Sequence, residues 1–221
     1  MERLENLNLQ NLKIYQDDSL YKFTSDSVLL SKFAKVKKGD VVADFCAGSG
    51  IVGFHLFGLN ANLIESLTFF EMQEPLYLLN KKSIQINGLE QKFFSVNTAV
   101  QDIDNSYSGK FSLIVCNPPY GKCNSGQMQE DESIAMCRYE LYLPLEELIK
   151  SVSKCLKFGG RVALCHRADR LADIFYCMKQ FNIEPKRLQT ISAHNKEPYL
   201  VLVEGVKGGK SGLKILTNGE N

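Results

Sequence analysis

Val41-Val42-Ala43-Asp44-Phe45-Cys46-Ala47-Gly48-Ser49-Gly50 runs directly into Ile51-Val52-Gly53-Phe54-His55-Leu56-Phe57. The first five residues read as a strand, the next five as a tight loop of small residues, and the apolar run as the start of a helix. Strand, small-residue loop and helix together make a ligand crevice beyond the strand ends of an open parallel sheet. The small side chains let the loop backbone approach a ligand closely. The spacing is not G-x-G-x-x-G, which argues against a nicotinamide-dependent dehydrogenase.

An acid, three residues, then Gly-x-Gly suits S-adenosylmethionine instead, with Asp44 placed to help position its methionine part. The next strand, Leu67-Thr68-Phe69-Phe70, ends in Glu71. An acid at that place hydrogen-bonds ribose hydroxyls. Met72 or Gln73 would then lie along the adenine. Pro75 opens a helix that runs through Leu76, Leu79 and Ile84 to Gly88, with Lys81 and Lys82 outward. Phe93-Phe94-Ser95-Val96 is a third short strand. Asp102 follows in a loop, either as an ordinary loop residue or as an acceptor for the adenine amino group.

Phe111-Ser112-Leu113-Ile114-Val115-Cys116 reads as a buried parallel strand and stops at Asn117-Pro118-Pro119-Tyr120. These four residues suit an aromatic amine, whose lone pair is delocalised and which carries two N–H donors. The Asn117 side-chain oxygen accepts one and the Pro118 carbonyl the other, favouring the positive charge that develops on attack. The prolines stiffen the turn. Tyr120 offers a ring for a base to stack on, worth roughly 1–3 kcal/mol.

Residues 1–38 precede the first sheet strand. Leu12–Gln16 reads as a short strand, Asp17–Ser19 as a turn and Tyr21–Phe23 as its return. A helix with Val28, Leu29, Leu30, Phe33 and Ala34 on its apolar face follows, capped by Ser25 or Asp26. Asp26 is either that cap or, with Thr24 and Ser25, a contact for the amino-acid end of a cofactor. After Tyr120, residues 121–131 have the composition of a loop over a site. Then come Arg138-Tyr139-Glu140, a helix from Leu145 to Leu156, a Gly159-Gly160 turn and the strand Arg161–Cys165. His166 and Arg167 sit at that strand's functional end. His166 is either structural or meets substrate phosphate or base. Leu171–Phe181 is an amphipathic helix. Lys186–Ile191 and Tyr199–Glu204 read as an antiparallel hairpin, and Val206–Lys214 as an exposed basic tail or loop.

The 221 residues suit one α/β domain, and the net charge of +1 excludes an overall polycation. A nucleic-acid partner would meet local lysines: Lys35, Lys37 and Lys38, Lys81 and Lys82, or Lys207, Lys210 and Lys214. Seven scattered cysteines without zinc-ligand spacing predict a reducing cytoplasm, no disulfide framework and no metal. No run is long enough to span a bilayer, so no membrane partner is expected.

The order Asp44-x-x-x-Gly48-x-Gly50, Glu71, Asn117-Pro118-Pro119-Tyr120 resembles the class I S-adenosylmethionine-dependent amino-methyltransferases. Leu12–Gln16, Phe23-Thr24-Ser25-Asp26, Arg138-x-Glu140, His166-Arg167 and Pro185-Lys186-Arg187 resemble, more narrowly, the bacterial tRNA adenine-N6 methyltransferases that modify adenosine 37 of valine tRNA. The resemblance covers nearly the whole chain. It implies a Rossmann-like α/β fold: a seven-stranded, mostly parallel sheet, helices on both faces and a C-terminal antiparallel hairpin. Residues 1–38 would be an N-terminal extension packing on the cofactor site, and 39–221 the methyltransferase domain. S-adenosyl-L-methionine would contact Asp26, Asp44, Gly48, Gly50, Glu71, Met72, Asp102 and Asn117. Asn117, Pro118 and Tyr120 would be catalytic, while Tyr120, Arg138, His166 and Arg167 would hold a tRNA substrate. A monomer is expected. One departure is Cys46, where the family often has Gly.

Rival readings are a release-factor glutamine methyltransferase, a DNA adenine methyltransferase, an RNA methyltransferase using Cys116 as nucleophile, and a non-catalytic RNA-binding protein of the same fold. The first two usually carry an extra domain for which no segment here is long enough.

Overall fold

The computed structural model describes residues 1–20, 25–120, 143–193 and 196–216. The predicted return strand 21–23, the loop 121–131 and Arg138 lie outside the described residues. An antiparallel hairpin, β1 (Glu2–Asn6) and β2 (Lys13–Asp17), comes first. Next in order are α1 (Ser25–Phe33), β3 (Asp40–Phe45), α2 (Ile51–Asn60), β4 (Ile64–Glu71), α3 (Glu74–Ile86), β5 (Phe93–Asn97) and β6 (Phe111–Cys116). The rest is α4 (Leu145–Cys155), β7 (Leu156–Arg167), α5 (Leu171–Gln180), β8 (Ile183–Ser192), β9 (Pro198–Lys207) and β10 (Lys214–Leu216).

Strands β3 to β10 form one sheet in the order β10-β8-β9-β7-β6-β3-β4-β5. Its centre is parallel, and β9 runs antiparallel to both β7 and β8. From β3 the chain steps outward to β4 and β5, then returns to lay β6 on the other side. That reversal opens a crevice at the C-terminal ends of β3 and β6.

The parallel strands are buried on both sides, so their sequences read as continuous apolar runs. Neighbouring residues go to opposite faces. Phe69 joins Phe54, Phe93 and Leu30 in the core under α1 to α3, while Phe70 joins Phe45, Phe111 and Ile149 in the core under α4 and α5. Phe54 stacks on Phe69 at 5.3 Å, and Phe45 meets Phe70 edge-on at 5.3 Å.

The sheet has eight strands rather than the seven expected. Strand β10 starts at Lys214, the last residue of the stretch read as a basic tail, and pairs parallel to β8. It is three residues long with one buried side chain, too short to leave a pattern. Strand β2 pairs with β1, whose mostly exposed, charged residues carry no period-two signal. The Gly159-Gly160 stretch is not a turn before β7: the strand begins at Leu156 and takes up the glycines as an irregularity in its pairing with β6. Among the described residues no helix is long and apolar enough to cross a membrane.

The N-terminal ends of the central strands are tied by a buried polar cluster. Asp40 on β3 accepts hydrogen bonds from Ser112 Oγ of β6 at 2.7 Å, Arg161 Nη2 of β7 at 2.5 Å and the Lys37 N–H at 2.6 Å. Removing the acid leaves a buried guanidinium unpaired. Asp40→Ala is therefore expected to lower stability by about 3–5 kcal/mol, measured by chemical denaturation; a loss under 1 kcal/mol would show that the cluster does not hold the strands.

Candidate functional site

A cavity of about 650 Å³ lies over the crevice. At the β4 side its wall is Glu71, Met72, Gln73 and Gln101; Ala47, Gly48 and Ser49 line the centre; Asn117 to Tyr120, Arg167 and Tyr199 line the β6–β9 side.

The loop after β3 bends through three left-handed residues: Cys46 (φ 56°), Gly48 (φ 57°) and Gly50 (φ 99°). Glycine adopts this region freely, whereas a side chain there costs roughly 1–2 kcal/mol. The backbone thus favours glycine at position 46, and Cys46 takes up the strain. Gly48 has open space around its missing Cβ and faces the cavity. Gly50 does not line the cavity. A Cβ there would sit 2.2 Å from Asn80 Nδ2, so its smallness lets the start of α2 approach α3.

Asp44 is also off the cavity wall. Its side chain is fully buried behind the loop, where Oδ2 accepts the Gly53 N–H at 2.8 Å. That bond ties the end of β3 to the first turn of α2. Oδ1 has no hydrogen-bond partner among the described residues. Burial pushes the carboxyl up to about 8; the Gly53 bond pulls it down and the Glu71 charge adds to the rise. Glu71 is buried but reaches the cavity. Oε2 accepts the Gly48 N–H at 2.8 Å and Oε1 the Gln73 N–H at 2.9 Å. Burial raises its pKa too, against these N–H bonds. Each oxygen keeps lone-pair capacity for a hydroxyl donor.

Asn117 is held from two sides. Its Nδ2 donates to Ser27 Oγ of α1 at 3.0 Å, and its Oδ1 accepts from Cys165 Sγ of β7 at 2.8 Å. Ser27 and Cys165 are both buried. Turning the amide over would face its N–H toward a thiol, a poor acceptor, so the roll of the side chain is set. The oxygen retains a second lone pair. The Tyr120 hydroxyl donates to Asp26 Oδ2, and its ring lies 5.6 Å from the His166 ring. Asp26 lines the cavity beside it.

Besides Asp44 and Gly50, two further predicted contacts need correction. Asp102 is exposed and does not line the cavity; Gln101 does. Both belong to a 3-10 turn, Val100–Asp102, in which successive side chains diverge by a third of a turn. His166 is 1 % exposed and lies behind Tyr120, with its Nδ1 accepting the Arg167 N–H at 2.9 Å. It takes the structural alternative. Arg167 does reach the cavity, forked onto Asp169 at 3.0 and 2.6 Å. Cys116 is buried, and burial first, then the Cys46 thiol, pushes its pKa well up. It does not line the cavity, so a substrate base there does not reach its sulfur, which argues against that rival.

Ser27, Cys165, Gln101 and Tyr199 went unnoticed in the sequence. Ser27 was recoverable, lying one residue from Asp26. The Cys165 contact crosses 48 residues of chain and leaves no local signal.

The methyltransferase small domain model matches residues 22–169. The chain belongs to the methyltransferase small domain family. A relative from Shewanella sp. (strain W3-18-1), named tRNA1(Val) (adenine(37)-N6)-methyltransferase, is 24% identical over 182 residues, 81% of this chain and 74% of that protein. One of the same name from Porphyromonas gingivalis is 38% identical over 96 residues, 43% of this chain and 37% of that protein. Among solved structures, a predicted O-methyltransferase from Agrobacterium tumefaciens superposes with a TM-score of 0.67 at 18% identity, covering 86% of this chain and 84% of that one. The M. jannaschii tRNA m1G37 methyltransferase superposes at 0.66 with 15% identity, covering 95% and 57%. These two likenesses establish the fold.

The Asp44 carboxyl has a testable consequence. Its folded-state pKa lies above the unfolded value, so the native state binds the extra proton. Its contribution to stability is complete below about 3.8 and is lost as pH rises to about 8. The protein should unfold at lower denaturant at pH 9 than at pH 6. Asp44→Asn, which keeps an acceptor for Gly53, should shrink that difference. An unchanged pH dependence in the variant would place its origin elsewhere.

Proposed function

We propose that this protein transfers a methyl group from S-adenosyl-L-methionine to N6 of an adenosine in tRNA, at position 37 beside the anticodon. The names of the relatives support this choice of substrate. The observation that carries the chemistry is the Asn117 amide on the cavity wall, fixed between Ser27 and Cys165.

The cavity residues fit the cofactor. Glu71 has acceptor capacity for ribose hydroxyls, Gly48 leaves room for a ligand against the backbone, and Met72 and Gln101, on the same wall, would hold its adenine. Asp44 acts through the loop, holding it to α2. When bound, the cofactor supplies an activated methyl group.

The target adenine leaves its stack and enters beside Tyr120. Asp26 and His166 fix that ring, so its orientation is set before substrate arrives. The free lone pair of Asn117 Oδ1 and the Pro118 carbonyl accept the two N6 hydrogens. They orient the amine and favour the charge that builds on it. No strong base is required, because the nitrogen turns acidic only after gaining the methyl group. The Cys165 thiol remains a donor to Asn117, since burial pushes its pKa well above the ordinary range.

Purified protein, labelled cofactor and total tRNA from a strain lacking the gene should yield N6-methyladenosine by nucleoside mass spectrometry, with fragment mapping to the anticodon loop. Asn117→Ala should cut turnover by about 100-fold or more while leaving cofactor affinity nearly intact. Loss of cofactor binding in that variant, by calorimetry, would sink the role given to Asn117.

A further inference from the structure

Two of the lysine clusters, Lys35–Lys38 and the one that begins at Lys207, lie at the end of the sheet away from the cavity. Lys35, Lys37 and Lys38 precede β3, whose far end makes the cavity. Lys207 ends β9, whose first residues Pro198 and Tyr199 line the cavity. A ten-residue strand separates the two by about 30 Å. Lys207 is moreover engaged with the Ser153 and Leu156 carbonyls.

At the cavity edge itself the chemistry is different. Tyr199 is 50 % exposed and lines the cavity. Among the described residues it is the one exposed aromatic ring that does so; Tyr176, Phe158 and Phe94 are exposed elsewhere. Its neighbour Leu200 pairs in register with Arg167, so the Tyr199 and Arg167 backbones adjoin at the ends of β9 and β7; alternation turns the two side chains to opposite faces of the sheet, and both reach the cavity beyond the strand ends. Asp169 takes two of the five guanidinium donors of Arg167. The side chain is 40 % exposed, leaving donors for a further acceptor.

The geometry points to a second base-binding subsite: Tyr199 stacks the nucleobase adjacent to the target adenosine, and Arg167 takes the phosphate between the two nucleotides. This rests on the RNA reading above and names where the RNA is gripped. Turning the target adenine out of its stack deprives the neighbouring base of a partner. An aromatic face at the cavity mouth replaces that partner, and the extended, single-stranded loop enters over β7 and β9. Base-on-aromatic stacking tolerates any base, so the subsite grips without fixing sequence.

The test compares Tyr199→Ala, Tyr199→Phe and a triple Lys35→Ser, Lys37→Ser, Lys38→Ser variant on an anticodon stem-loop RNA. Tyr199→Ala should raise KM for RNA about ten-fold with cofactor affinity unchanged, and Tyr199→Phe should restore it. The lysine triple should stay within about two-fold of the parent. The chain contains no tryptophan, so Tyr199→Trp also gives a single reporter whose emission should be quenched as RNA is titrated in. Parent-like kinetics in Tyr199→Ala, with an active parent enzyme and an unquenched reporter, overturn the subsite alone. A parent enzyme that binds cofactor but methylates no RNA overturns the subsite together with the RNA reading.

Discussion

The Asn117 amide hangs between the Ser27 hydroxyl and the Cys165 thiol, and those two bonds join α1, the end of β6 and β7 at one point. A carboxamide can turn over at little intrinsic cost, and an amide that turns over presents N–H where a substrate amine needs an acceptor. The two buried partners remove that freedom. Everything that sets their positions bears on the chemistry: the parallel pairing of β6 with β7, and the packing of α1 on α2. The Asp40 cluster at the other end of the same strands secures the pairing from below.

Acidic residues at the cavity and behind its loop act mostly on the backbone. Glu71 receives the Gly48 and Gln73 N–H groups, Asp44 receives Gly53, and Asp26 receives the Tyr120 hydroxyl. Each bond pins a loop against a rigid strand or helix end. The cavity is therefore largely formed in advance, which lowers the ordering cost of ligand binding. Raised carboxyl pKa values accompany this arrangement, because burial is what makes Asp44 and Glu71 effective anchors.

Elements with a strong local signature were legible in the sequence. The apolar runs of β3, β4 and β6 gave the parallel core, and the small-residue loop and Asn117–Tyr120 located the site. What escaped was decided by tertiary contacts. Strand β10 has one buried residue, β1 has no alternation, and the Cys165–Asn117 bond spans distant segments. Asp102 and Gln101 differ by one position in a tight turn, a distinction below the reach of pattern reading. The sequence could not say that Lys35–Lys38 and Lys207 stand at the end of the sheet away from the cavity, because charge in a sequence carries no information about which end of a sheet it occupies.

The central claim is that a fixed Asn117 oxygen receives the amine to be methylated. A crystal structure with S-adenosylhomocysteine and adenosine, or a short anticodon-loop RNA, tests it most directly. The account predicts adenine N6 within about 3 Å of both Asn117 Oδ1 and the Pro118 carbonyl oxygen, with Ser27 and Cys165 still on the amide. An adenine bound with N6 away from Asn117, or an amide released from Ser27 and Cys165 on binding, would contradict it.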